Sequence, residues 1–99
     1  MRTLIEEEIA EVGIEVSGKL FVCPKTKTFE FIYRAAMGVR WNESLRRLYP
    51  YELGDWSPAR WFNQIMAAVA DEYGVVLKLC PNTIWSVPED VRTEIEQRV

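Results

Sequence analysis

Asp55-Trp56-Ser57-Pro58-Ala59-Arg60-Trp61-Phe62-Asn63-Gln64-Ile65-Met66-Ala67-Ala68-Val69-Ala70-Asp71-Glu72-Tyr73-Gly74 decides the fold, because it carries the start, body and stop of one amphipathic helix. Ser57 can cap the free amides of the first turn, and Pro58 fits the first helical position, where a missing N–H matters least. Phe62, Ile65, Met66, Val69 and Tyr73 then fall on one stripe, with Asn63, Gln64 and Asp71 turned away. Gly74 ends the helix, since glycine enters the left-handed cap conformation without a Cβ penalty.

Downstream, Val75 to Cys80 is a β-branched, apolar run stopped by Pro81, which reads as an inner strand. Pro81-Asn82 turns the chain, and Thr83 to Trp85 form a second short strand. Ser86 and Glu89 have capping-box spacing with Pro88 in the first turn, so a last helix is expected over about 87–98. It turns Val91 and Ile95 inward and sets a Glu94 to Arg98 pair outward.

Upstream, Val39 and Trp41 alternate with Arg40, Asn42-Glu43 turns, and Leu45 to Tyr49 returns before Pro50, a short hairpin with a helix through 43–49 as the alternative. Phe29, Ile32, Tyr33, Ala36 and Met37 match the helical template, capped by Thr28 and terminated by Gly38. Ile14 and Val16, then Leu20 and Val22, alternate around Ser17-Gly18, which signals a hairpin with a strand at about 19–23 ended by Pro24. Thr3 and Glu6 have capping-box spacing, and Ile5, Ile9 and Val12 recur at helical intervals, so 4–12 is expected to be a short helix closed by Gly13. The expected architecture is α+β: a single compact domain, with the 58–73 helix packed on a small, mainly antiparallel sheet and a C-terminal helix following.

A chain of 99 residues, 48% apolar and 27% charged, holds one small core and no disordered tail. Its apolar runs fall far short of a membrane span, and its N-terminus lacks the basic and apolar regions of a signal peptide, so no membrane partner and a cytoplasmic location are expected. Cys23 and Cys80 stand in separate Cys-Pro dipeptides and read as buried free thiols. Histidine is absent, which removes the usual zinc and copper ligand sets and the commonest general base. No metal and no cofactor are expected.

The net charge of −3 argues against nucleic acid. Yet the charges are segregated. Residues 1–18 set Arg2 against five glutamates, residues 19–60 set eight cations against four acids, and the remainder is acidic again. That pattern fits internal pairing, self-association of complementary patches, or an anion site in the basic middle. Four tryptophans are many for this length, and Trp41 and Trp56 border the basic middle beside Tyr49, Tyr51, Arg46 and Arg60. These six residues are the candidate ligand or dimer surface, because each Trp or Tyr couples a large apolar area to one polar group. Ser57 beside Asp55 is explained by capping, and adjacent acids such as Asp71/Glu72 point to different sides of a helix rather than forming a catalytic pair. An enzymatic role is therefore less expected than a binding one.

Two resemblances bear on this. Glu52-Leu53-Gly54-Asp55-Trp56-Ser57 with Glu72-Tyr73-Gly74-Val75 resembles an acyl carrier domain, which implies Ser57 as an attachment point; Trp56 and Pro58 depart from that family's Asp-Ser-Leu triplet, and a strand over 75–80 has no place in its helical bundle. A broader match comes from Phe29-Glu30-Phe31-Ile32-Tyr33-Arg34-Ala35-Ala36-Met37-Gly38-Val39-Arg40-Trp41, Asp55 to Phe62, Glu72 to Leu77 and Ile84-Trp85-Ser86-Val87-Pro88. It resembles small bacterial proteins carried on mobile integron gene cassettes, over about residues 28–98. That resemblance implies a compact α+β fold, no assigned activity and self-association. The expected function is non-enzymatic binding, as a homodimer or with another protein. The alternative is a carrier or enzyme for a small anionic or acyl-type ligand near the Ser57 helix terminus. A third reading uses Glu6, Glu7 and Glu8 of the first helix as a phosphate mimic against a nuclease or toxin.

Overall fold

Strand β1 (Ile5–Ile14) joins the sheet together. The structure, a computed structural model, describes residues 5–52 and 54–98. Along one edge β1 pairs antiparallel with β2 (Leu20–Pro24), which pairs with β4 (Arg47–Pro50), which pairs with β3 (Val39–Asn42). Along its other edge it pairs parallel with β5 (Val75–Lys78) through Ile5 to Glu8, and then with β6 (Ile84–Ser86) through Glu11 to Gly13. Three pairings are antiparallel and two parallel.

The helix expected over 4–12 is thus a strand, and the reason lies in its register. Ile9 faces Pro24 and Glu11 faces Cys23, so β1 spends two residues where β2 spends one. Ala10 is the extra residue of a β-bulge, and it puts Ile9 and Val12 on the same face at a spacing of three. A strand with a bulge therefore imitates helical periodicity. The Thr3 cap lies outside the described residues. The hairpin signal at Ser17-Gly18 holds: Ile14 pairs with Leu20, and Glu15 and Lys19 close the turn.

α1 (Pro58–Tyr73) has the bounds expected of it. Ser57 Oγ accepts the Arg60 amide at 3.2 Å, and Gly74 takes the left-handed conformation at φ 67°. Phe62, Ile65, Ala68 and Val69 are fully buried, and Trp61 nearly so. Gln64 does not turn to solvent; its Nε2 donates to the Met37 carbonyl at 3.0 Å and ties α1 to the turn before β3.

The helix expected over 29–37 is only a short 3-10 turn, Ile32–Ala35, with no side-chain cap and with Ala36 left-handed at φ 55°. Phe29 and Ile32 are buried by this single turn, while Phe31 and Tyr33 stay exposed. β3 and β4 form the expected hairpin, not a helix, with Arg46 at φ 53° in its turn. β5 is apolar as read, but it lies at the end of the sheet instead of inside it. α2 (Glu89–Arg98) packs on α1 and buries Ile95. Ser86 belongs to β6, where its hydroxyl donates to Glu11 at 2.6 Å. The Arg98 side chain, half of the expected pair with Glu94, lies outside the described ones.

The acidic N-terminal segment does not form a free anionic face. Glu6 and Glu8 pair with Lys78 and Lys25, while Glu7 turns inward and is 6% exposed. The Glu7 carboxylate accepts the amides of Thr26 and Lys27 at 2.7 and 2.8 Å and the Thr26 hydroxyl at 3.1 Å, pinning the segment after β2. Burial pushes this carboxyl up, but the Lys27 and Thr26 amides, the Thr26 hydroxyl and the Lys27 charge together hold it below the ordinary glutamate value. A carboxyl lowered in the folded state stabilises it above the unfolded pKa, and that contribution is lost as pH falls through the folded value. Glu7→Ala is expected to cost about 1–3 kcal/mol in urea unfolding at neutral pH, because two amides lose their acceptor. The difference from wild type should shrink in acid, and unequal behaviour of the two proteins only in acid would contradict the assignment.

Candidate functional site

Both helices pack on one side of the sheet, leaving the opposite face without a helix among the described residues. Its side chains follow from register. Val12, Val22 and Leu48 point to the helices and are fully buried. Their neighbours alternate to the other face. One row across the strands runs Asn42, Arg47, Cys23, Glu11, Ile84, and the next runs Arg40, Tyr49, Phe21, Gly13, Ser86. Lys19, Glu15 and Tyr51 close the far end, where Lys19 Nζ donates to the Tyr51 carbonyl at 2.9 Å.

Cations and aromatic rings interleave on this face. The Arg47 guanidinium lies 3.7 Å from the centre of the Phe21 ring, Arg40 lies 4.7 Å from that of Tyr51, and Lys19 lies 5.7 Å from that of Tyr49. Each contact of this kind contributes on the order of 0.5–1 kcal/mol at an exposed site. Arg47 also pairs with Glu15 at 3.3 Å. Phe21 is 5% exposed although no helix covers it. Arg47 shields it from one side, and beneath it lies Gly13, whose missing side chain leaves room for the ring. Cys23 is a half-buried free thiol. Burial pushes its pKa up and the Glu11 carboxylate adds to this, against the opposing Arg47 charge. The thiol is thereby held in its neutral form, a poor nucleophile.

The six residues singled out from the sequence are dispersed. Tyr49 and Tyr51 lie on the helix-free face. Trp41 points the other way: it is opposite Leu48, packs edge-on against Phe29 at 5.9 Å, and donates to Glu43 at 2.6 Å. Arg46 is in the β3–β4 turn and donates to the Thr26 carbonyl at 3.1 Å. Trp56 and Arg60 form a separate stack at the α1 N-terminus, with Arg60 4.0 Å over the Trp56 ring and Trp61 at 4.7 Å on it. The Ser57 hydroxyl there is taken by the helix cap. Sequence reasoning omitted Lys19, Phe21 and Arg40. The signal for them was the alternation in Leu20-Phe21-Val22-Cys23 and Val39-Arg40-Trp41, which sends every second residue to the face away from the core.

The fold and this face define a small α+β protein with a one-sided mixed sheet. Residues 7–83 match the family model described as Integron Cassette Protein Hfx_Cass5, and the chain belongs to that family. It is also 43% identical to a solved structure described as integron cassette protein Hfx_Cass5 from the mobile metagenome of the North West Arm sewage outfall. That match covers 98% of this chain and 95% of the other, with a TM-score of 0.47. No curated protein matches the chain. Among the described residues, no helix is long and apolar enough to cross a membrane.

A Cβ on Gly13 would stand 2.2 Å from Phe21 Cζ. Gly13→Ala is therefore expected to destabilise by about 1–3 kcal/mol in urea unfolding, and by much less in a Phe21→Leu background. Additive effects of the two changes would show that the ring does not lie over Gly13.

Proposed function

We propose that this integron cassette protein is a non-enzymatic binding protein that works as a homodimer, paired through the helix-free face of its sheet. The observation that carries the reading is the composition of that face: tyrosines and arginines, Tyr51 56% exposed and Ile84 61% exposed, on a sheet side that no described helix covers. Tyrosine and arginine are the residue types enriched where proteins meet.

A second copy fits because the face is divided into strips of opposite sign. Lys19, Arg40 and Arg47 lie toward the β2–β4–β3 side, and Glu11 in β1 and Glu15 just beyond its end lie on the other. A two-fold axis along β2 would lay each cationic strip over the partner's acidic strip, the self-complementarity that an isologous interface requires. The free thiols of Cys23 and Cys80 suit a reducing compartment, so the cytoplasm is the place of action in this reading.

Sedimentation equilibrium over a wide concentration range tests it. Wild type is expected to dimerise, with association weakened by salt. Arg40→Glu and Tyr51→Ala should each weaken association by roughly tenfold or more while leaving the circular dichroism spectrum unchanged. A monomer at the highest concentration reached would overturn the reading.

A further inference from the structure

We infer that the hollow between β5 and β6 is a binding site for a small apolar amino acid in its zwitterionic form. The hollow has a structural cause. β5 leaves β1 after Glu8, and β6 joins it only at Glu11, so Ile9 and Ala10 have no neighbouring strand on that edge. The segment between them is held aside by Thr83, whose hydroxyl donates to the Ile9 carbonyl at 2.7 Å and accepts the Cys80 amide at 3.0 Å. What remains is a space of about 220 Å³ lined by Ile9, Ala10, Cys80 and Ile84, with Glu8, Lys25 and Asn82 also on its wall.

Size and charge select the ligand. A hollow of this size, open to solvent on one side, has room for one side chain on the scale of leucine, methionine or phenylalanine. An apolar body against Ala10 and Ile84 would cover Ile84, an apolar side chain that is 61% exposed, the direction the hydrophobic effect favours. Lys25 Nζ and Glu8 Oε2 are 3.2 Å apart, and both side chains are more than half exposed. An exposed pair of this kind is worth little and exchanges partners readily. An α-carboxylate on Lys25 and an α-ammonium on Glu8 would replace the pair with two pairs, whereas a ligand with one charge leaves one ion without a partner. The site lies at the β5–β6 edge, away from Arg40 and Tyr51; it shares Ile84 with the helix-free face, and the inference does not rest on the homodimer reading.

The test is a titration of ¹⁵N-labelled protein with L-leucine and L-phenylalanine, followed by amide shifts. Saturable shifts are expected at Ala10, Lys25, Asn82 and Ile84, together with slower alkylation of Cys80 in the presence of ligand. N-acetylleucine and leucinamide, which each keep one charge, should bind at least about tenfold more weakly, the loss that follows from leaving one charged group unpaired. Lys25→Met, a change on an exposed side chain, should weaken leucine by a similar factor and remove its advantage over leucinamide. Absence of saturable shifts up to the solubility limit of both amino acids, shifts that map to another region, or equal binding of the singly charged analogues would overturn the inference.

Discussion

The extra residue at Ala10 sets the geometry of the whole sheet. Before it, β1 runs beside β5; after it, β1 runs between β2 and β6. The bulge keeps Ile9 and Val12 both inside, so the strand can change neighbours without turning a hydrophobic side chain out to solvent. Thr83 completes the exchange by satisfying the Ile9 carbonyl where a ladder bond is missing. Removing that hydroxyl would leave the Ile9 carbonyl only the long, weak contact from the Cys80 thiol at 3.9 Å.

With β1 fixed, the sheet has two unlike faces. One is closed by α1 and α2 over Phe62, Ile65, Val69 and Ile95. The other closes itself only in part: Phe21 lies over Gly13 and under Arg47, a cross-strand device that covers a glycine with a neighbouring ring. The remaining rings are paired with cations rather than buried, which keeps aromatic area at the surface in an ordered arrangement. The fold therefore presents an aromatic and cationic surface, and the homodimer proposal depends on that composition more than on any single side chain.

Local chemistry made α1 readable: Ser57, Pro58 and Gly74 each act within a turn of the helix they bound, so no distant contact is needed to place it. The β3–β4 hairpin and the Ser17-Gly18 turn were readable for the same reason. β1 was not, because its bulge reproduces the helical spacing of Ile9 and Val12, and because its three neighbours, β2, β5 and β6, come from both ends of the chain. The 3-10 turn failed differently: Phe29 and Ile32 satisfy one turn of either helix type, and only Ala36 in the left-handed conformation shows that the helix stops. Of the candidate surface, the aromatic and cationic excess in the middle of the chain was legible. Its division between faces was not, since it depends on the register of four strands. Tyr49 and Trp41 are neighbours in sequence terms yet lie on opposite sides of the same hairpin.

Native-state hydrogen exchange tests the central role of β1 most directly. If β1 is the strand on which the sheet is assembled, the amides of Val12, Gly13 and Ile14 exchange only through global unfolding, alongside those of Leu20 to Val22 and the middle of α1. Exchange of residues 11–14 well ahead of α1, by a route that leaves the helix protected, would contradict the account.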